Sequence, residues 1–271
     1  MYIDLKGIDI DGILNSGACF RVINESDGSI TNIIKDRVVN FKIEGNQVLV
    51  KSSNYDNLKE LLYDYFDYYR DYDSINNLLK EKCSDLINQC KSYRILNQDP
   101  FEISISYIIS QNNNVKRISK SINELCHDYG EKIVFENKDY YLFPKYEVLS
   151  KLTSDDFRKY GVGFRDKYIV NYLKAYNDLK DLDKLNTPDA LKRLQNIKGI
   201  GLKVASCILL FGYHRLDVFP IDTWVKHYMS SVYNIKEDEK AIKDFASKNF
   251  KEYSGLVIQY MFHSKRNIKD N

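Results

Sequence analysis

Lys203 stands two residues after the second glycine of "IKGIGLKVASC", at the start of an apolar helical run. Three chemistries are open to an amine there: a solvated charge, a clamp on a nucleic-acid phosphate, or a nucleophile buried enough to be neutral. The Gly199-x-Gly201 turn permits positive backbone dihedrals and lets main-chain N–H groups approach an anion without a Cβ in the way. The helix N-terminus that follows adds partial positive charge, so the turn can hold a phosphate without reading a base. Nineteen residues beyond Lys203, "VFPIDTW" places Asp222 ahead of a new apolar helix. Alone, Asp222 reads as an N-cap. Paired with Lys203 it gains a second use, because a carboxylate stabilises positive charge developing on a sugar while a desolvated lysine attacks the anomeric carbon. Cys207 lies one helical turn after Lys203 on the same face, a position a small core residue also fills.

The elements that must position these residues change period along the chain. From about residue 17 to residue 52, "ACFRVI", "ITNIIK", "VVNFKI" and "QVLVK" alternate apolar and polar residues between the turn sequences "SDGS", "KDR" and "EGN". This predicts an antiparallel meander. Beyond residue 54 the period becomes helical: Leu58, Leu61, Leu62, Tyr65 and Phe66 share one face, as do Leu78, Leu79, Cys83, Leu86, Ile87 and Cys90. Everything that follows reads as helix. Asp99-Pro100-Phe101-Glu102 supplies an N-cap, a first-turn proline and a reciprocal glutamate, and Thr187-Pro188 opens the next marked helix in the same way. The expectation is an α+β chain: an N-terminal antiparallel sheet domain with flanking helices over 1–100, and a larger all-α domain over 101–271 with a helix-hairpin-helix at about 188–212.

Composition bounds the class. The 271 residues are 44% hydrophobic and 29% charged, with a net charge of +2 and no unbroken apolar stretch of membrane-spanning length. Any nucleic-acid affinity must therefore come from a local surface. The start "MYIDLKGIDIDG" has no basic flank and no apolar run, which gives a cytoplasmic expectation. Five cysteines without paired spacing suit a reducing compartment. Cys83 and Cys90 read as a helical core face, and His127, His214, His227 and His263 form no ligand motif.

"LQNIKGIGLKVASCILLFG" followed by "VFPID" resembles the helix-hairpin-helix DNA glycosylase superfamily, and the lysine four positions after the hairpin's first glycine resembles its bifunctional glycosylase/lyase branch. "FEISISYIISQNNNVKRI" and "YGVGFRDKYI" resemble the 8-oxoguanine DNA glycosylase family, and the likeness runs from "IDLKGIDIDGILNSGACFR" to "YSGLVIQYMFHSKR". The resemblance implies excision of 8-oxoguanine opposite cytosine from duplex DNA by a monomer in the nucleoid-bearing cytoplasm, with no cofactor, no metal and no membrane. It implies Lys203 as nucleophile and Asp222 as stabiliser of the oxocarbenium-like transition state. Cys207 and Phe262 would cover the two faces of the extruded base. The Gly17 carbonyl would accept N7–H of 8-oxoguanine, a hydrogen that guanine lacks. Asn112, Arg117 and Arg165 would read the orphaned cytosine, and Phe164, on a turn made by Gly161 and Gly163, would fill the stack. Gly199 and Gly201 would hold phosphate.

Three positions depart from the family pattern. Lys198 replaces the hairpin proline and adds a charge beside the phosphate. Trp224 replaces a histidine near the phosphate, leaving an indole N–H as donor. Ile258 stands where relatives carry a glutamine that reads the Watson–Crick edge, and Gln259, one helical step of about 100° away, takes that role in the expectation. Two other readings remain open at this point: a helix-hairpin-helix glycosylase for another damaged purine, and a non-catalytic helix-hairpin-helix DNA-binding protein.

Overall fold

The computed structural model describes residues 1–45 and 47–269. Five antiparallel strands form one sheet in the order β1-β5-β4-β3-β2: β1 (Tyr2–Ile3), β2 (Ile23–Asn24), β3 (Ile30–Ile34), β4 (Arg37–Glu44) and β5 (Gln47–Ser52). Phe41 on β4 faces Ile30 on β3 and Val50 on β5, and these residues are buried on the core side as the period-two pattern requires. Helices make up most of the rest, so the chain is α+β. No described helix is long and apolar enough to cross a membrane.

Four local expectations are corrected. "ACFRVI" is strand only at its end, where β2 begins at Ile23; residues 18–22 are a non-repetitive segment held by other contacts. The all-helical expectation beyond residue 54 misses a hairpin of β6 (Lys132–Phe135) and β7 (Lys138–Tyr141). Its two turn residues, Glu136 and Asn137, both have positive φ (48° and 61°), the geometry of a type I′ turn without the usual glycine. Leu78 is 70% exposed, because the buried stripe of the Tyr72–Cys90 helix runs through Ile75, Asn76, Leu79 and Cys83 and leaves Leu78 beside it. The Thr187–Gln195 helix is capped one residue earlier than Thr187, by Asn186, whose side chain accepts from Asp189 N at 2.9 Å.

Asp99 does cap the Pro100–Ser110 helix, accepting from Glu102 N at 2.8 Å. The Glu102 carboxylate goes elsewhere, to within 3.7 Å of the buried Arg21. Burial pushes Glu102 up to about 7, outweighing the opposing charge of Arg21, with Asp99 adding to the rise. A carboxyl raised in the fold keeps its proton after the unfolded chain has released it, so its contribution to stability falls as pH climbs from about 4.5 to about 7 and is level above that. The loss is on the order of 3 kcal/mol. Glu102→Gln is expected to flatten this segment of a thermal-denaturation profile against pH; an unchanged slope would assign it to another group.

One buried apolar core runs from Ile3 and Leu5 to Tyr260 and Met261. The last helix, Ser254–Lys269, packs on the Tyr72–Cys90 helix and is tied to the first hundred residues of the chain by buried polar contacts. Tyr260 Oη donates to Asn76 Oδ1 at 2.9 Å, and Gln259 Nε2 donates to Tyr93 Oη at 2.9 Å. Cys83 and Cys90 lie in this contact, where burial pushes both thiols up to about 12.

Candidate active site

The hairpin joins the Thr187–Gln195 and Leu202–Phe211 helices. Gly199 has φ +105°, and a Cβ there would lie 2.2 Å from Tyr168 Cγ, so both the dihedral and the space demand glycine. Its carbonyl accepts from Gln111 Nε2 at 3.1 Å, and the Lys198 carbonyl accepts from Asn171 Nδ2 at 3.0 Å. Gly201 corrects the expectation of two positive dihedrals: its backbone is extended (φ −83°, ψ 174°) and a Cβ would meet nothing within 4 Å. The fold itself therefore does not require a glycine at 201. Its effect is to leave open the first turn of the Leu202–Phe211 helix, where no side chain caps the free N–H groups.

Lys203 lies in that first turn, half-buried, with Nζ 5.9 Å from the centre of the Tyr107 ring. Cys207, one turn on, is buried; burial raises its thiol, Lys203 opposes the rise and Asp222 adds to it. Lys203, Cys207 and Asp222 all line one cavity. Asp222 caps the Thr223–Tyr233 helix, accepting from Val225 N at 2.8 Å through Oδ1.

A cavity of about 670 Å³ is lined by Gly17, Lys203, Cys207, Asp222, Gln259 and Phe262 among others. Its size and mixed lining suit a single heterocyclic base with room for its sugar. An adjoining groove of about 930 Å³ is lined by Asn112, Arg117, Gly201, Lys203, Asp222 and Trp224. Lys203 and Asp222 line both, so they stand where the groove opens into the cavity.

Several walls are not foreseen from the sequence. Tyr107 stacks on Phe211 at 5.2 Å, and Phe20 meets Tyr107 edge-on at 5.6 Å, together forming an aromatic side of the cavity. Trp224 lies tilted against Phe262 at 4.7 Å, and Lys265 Nζ sits 4.4 Å from the Trp224 ring centre. Trp224 thus backs Phe262 as well as facing the groove. Gln259 and Ile258 both line the cavity, but the Gln259 amide nitrogen is committed to Tyr93.

The residues expected to serve the opposite strand are split. Phe164 is 54% exposed, with Gly161 and Gly163 at φ 69° and 57° shaping its turn. Arg117 is exposed in the first turn of the Val115–Tyr129 helix, and Asn112 is exposed with φ 47°. Arg165 is not presented in the same way. It is 7% exposed, and its guanidinium donates to the carbonyls of Gln111 (Nε, 2.6 Å, and Nη2), Asn112 (Nη2, 2.8 Å) and Val162 (Nη1, 2.9 Å). Those bonds occupy four of its five N–H groups. The Phe164 ring lies 4.5 Å from the Arg165 guanidinium. Arg165 therefore holds the "QNNN" segment, and Gln111 of that segment holds the hairpin at Gly199.

The family model described as "HhH-GPD superfamily base excision DNA repair protein" matches residues 105–252, and that described as "8-oxoguanine DNA glycosylase, N-terminal domain" matches residues 2–103. The chain belongs to the HhH-GPD superfamily of base excision DNA repair proteins. Among superfamily structures, the 8-oxoguanine glycosylase/lyase of Clostridium acetobutylicum, solved with double-stranded DNA containing cytosine opposite 8-oxoguanine, is 34% identical with a TM-score of 0.90, over 97% of this chain and 93% of that one. The probable N-glycosylase/DNA lyase of Methanothermobacter thermautotrophicus is 29% identical over 77% of this chain and 75% of its own length. The N-glycosylase/DNA lyase of Arabidopsis thaliana is 36% identical over 52% of this chain and 41% of its own. The two family matches meet within the Pro100–Ser110 helix, whose C-terminal end lines the cavity through Tyr107 and Ser110.

Proposed function

We propose that this chain is a bifunctional DNA glycosylase/AP lyase of base excision repair that removes 8-oxoguanine from duplex DNA, preferentially opposite cytosine. The observation that carries the reading is the placement of Lys203 and Asp222 at the opening between a base-sized cavity and an open groove. A base turned out of the duplex would enter the cavity between Cys207 and Phe262, with the Gly17 carbonyl as acceptor for N7–H. The Lys203 amine attacks C1′ as the glycosidic bond breaks; the base departs with the bonding electrons and a proton, while Asp222 balances the positive charge on the sugar. The remaining N–H proton passes to O4′ as the nitrogen lone pair breaks the C1′–O4′ bond, which opens the sugar ring and gives the imine. Removal of a C2′ proton then expels the 3′ phosphate by β-elimination, and water releases Lys203.

The free N–H groups beside Gly201 hold a backbone phosphate in this reading, and Lys198 adds a charge nearby. Phe164 fills the vacated stack, Arg117 and Asn112 face the orphaned cytosine, and the indole of Trp224 lies along the groove. The reading takes the protein as a monomer that acts wherever the genomic DNA lies, in the cytoplasm. A purely DNA-binding helix-hairpin-helix leaves the cavity unexplained.

The opposite-base preference has its own test. Since Arg165 holds Gln111 and Asn112 by their carbonyls, Arg165→Ala is expected to release that segment and reduce the cytosine preference by about tenfold. The measurement is single-turnover excision with 8-oxoguanine paired in turn to each of the four bases; an unchanged ranking and ratio would remove Arg165 from the preference.

A further inference from the structure

A single main-chain acceptor separates 8-oxoguanine from guanine only if it is held still. Guanine N7 presents a lone pair where 8-oxoguanine presents N7–H, so a fixed carbonyl oxygen repels guanine and binds the lesion. A carbonyl free to turn aside would lose the attraction and relax the repulsion. Gly17 has φ +78°, and glycine restrains its own peptide planes less than any other residue. Something outside Gly17 must hold the oxygen.

The Gly17 carbonyl and the Ala18 N–H are two ends of one planar trans peptide unit, pointing in opposite directions. The Ala18 N–H donates to Ser16 Oγ at 3.2 Å, a contact that is buried. Holding one end of the plane holds the other. Ser16 is 8% exposed and lines the same cavity as Gly17 and Ala18. The next peptide is held as well: Gln98 Nε2 donates to the Ala18 carbonyl at 3.1 Å, again buried. Two successive peptide units at the cavity wall are therefore each held at one end by a buried side chain, in a segment that forms no strand.

We propose that Ser16, with Gln98 behind it, is the positioning residue that sets discrimination between 8-oxoguanine and guanine, by aiming the Gly17 carbonyl through the Ala18 N–H. The inference rests on the reading of this chain as an 8-oxoguanine glycosylase. It adds that selectivity is built by a side-chain acceptor acting through the backbone.

The test measures, on full-length protein, excision from duplexes carrying 8-oxoguanine opposite cytosine, excision from matched guanine duplexes, and cleavage of a preformed abasic site. The ratio of 8-oxoguanine to guanine processing is expected to fall about three- to tenfold in Ser16→Ala and to return in Ser16→Thr, which keeps the acceptor oxygen. The ratio of 8-oxoguanine excision to abasic-site cleavage falls with it, because an abasic site offers no N7 to read. Gln98→Met removes the second restraint and is expected to shift both ratios the same way by a smaller factor; it decides the matter if Ser16→Ala does not fold. Ratios equal to wild type in these variants, including the case where all three rates drop together, would overturn the proposal. A wild-type protein that shows no preference for 8-oxoguanine would instead sink the functional reading beneath it.

Discussion

Lys203→Gln is expected to abolish covalent trapping by borohydride on a duplex with 8-oxoguanine opposite cytosine, and to lower base excision by about three orders of magnitude or more. Glutamine keeps most of the length and the apolar stem that lies toward Tyr107, so the cavity between Cys207 and Asp222 stays filled. What is lost is the amine nitrogen where groove meets cavity, the proposed nucleophile. DNA affinity should change little, since the exposed groove, the open helix start at Gly201 and Arg117 are untouched. Trapping that equals wild type would move the nucleophile elsewhere, with Lys265, which also lines the cavity, the next amine to replace. Absence of trapping in wild type, with the duplex bound, would remove the lyase step altogether.

Asp222 carries two roles that different substitutions separate. Its Oδ1 caps the Thr223–Tyr233 helix, and in the proposed reaction its charge balances the sugar as it becomes positive. Asparagine caps a helix about as well as aspartate does, but carries no charge. Asp222→Asn is therefore expected to hold the melting temperature near wild type while single-turnover excision falls by about a hundredfold. Asp222→Ala removes both functions and is expected to lose a further ~1 kcal/mol of stability. The measurements are a thermal melt and a single-turnover time course on the same preparations. If Asp222→Asn excises at the wild-type rate, Asp222 is a cap and nothing more.

The parts of this site that are legible in the sequence are those set by local rules. Lys203 and Cys207 share a helical face by spacing alone, Asp222 precedes a helix in a cap position, and Gly161 and Gly163 announce a tight turn around Phe164. The cavity's other walls are hidden for a physical reason. Tyr107 and Phe211 sit in apolar runs where every residue looks like core, and which ones face an opening is decided by packing between distant elements. Arg165 illustrates a second limit: residue type points to DNA, while four carbonyl bonds show the guanidinium at work inside the protein. The β6–β7 hairpin escapes the sequence pattern because its turn reaches positive φ at Glu136 and Asn137 without the glycine that marks such turns. Glu102 reads as a capping partner because its offset from Asp99 fits, yet the buried Arg21, eighty-one residues earlier in the sequence, draws it away.

The last helix has a consequence for how the protein comes into being. Phe262 and Gln259 stand on Ser254–Lys269, which is laid against the Tyr72–Cys90 helix from the opposite end of the chain. During synthesis the hairpin, Lys203 and Asp222 emerge well before this helix does. A nascent or truncated chain thus carries Lys203 and Asp222 without the Phe262 side of the cavity, and leaves Asn76 and Cys90 without their partner on the last helix. The cavity is therefore complete only once the final segment is in place, and an unfinished copy exposes core that chaperones or proteases recognise.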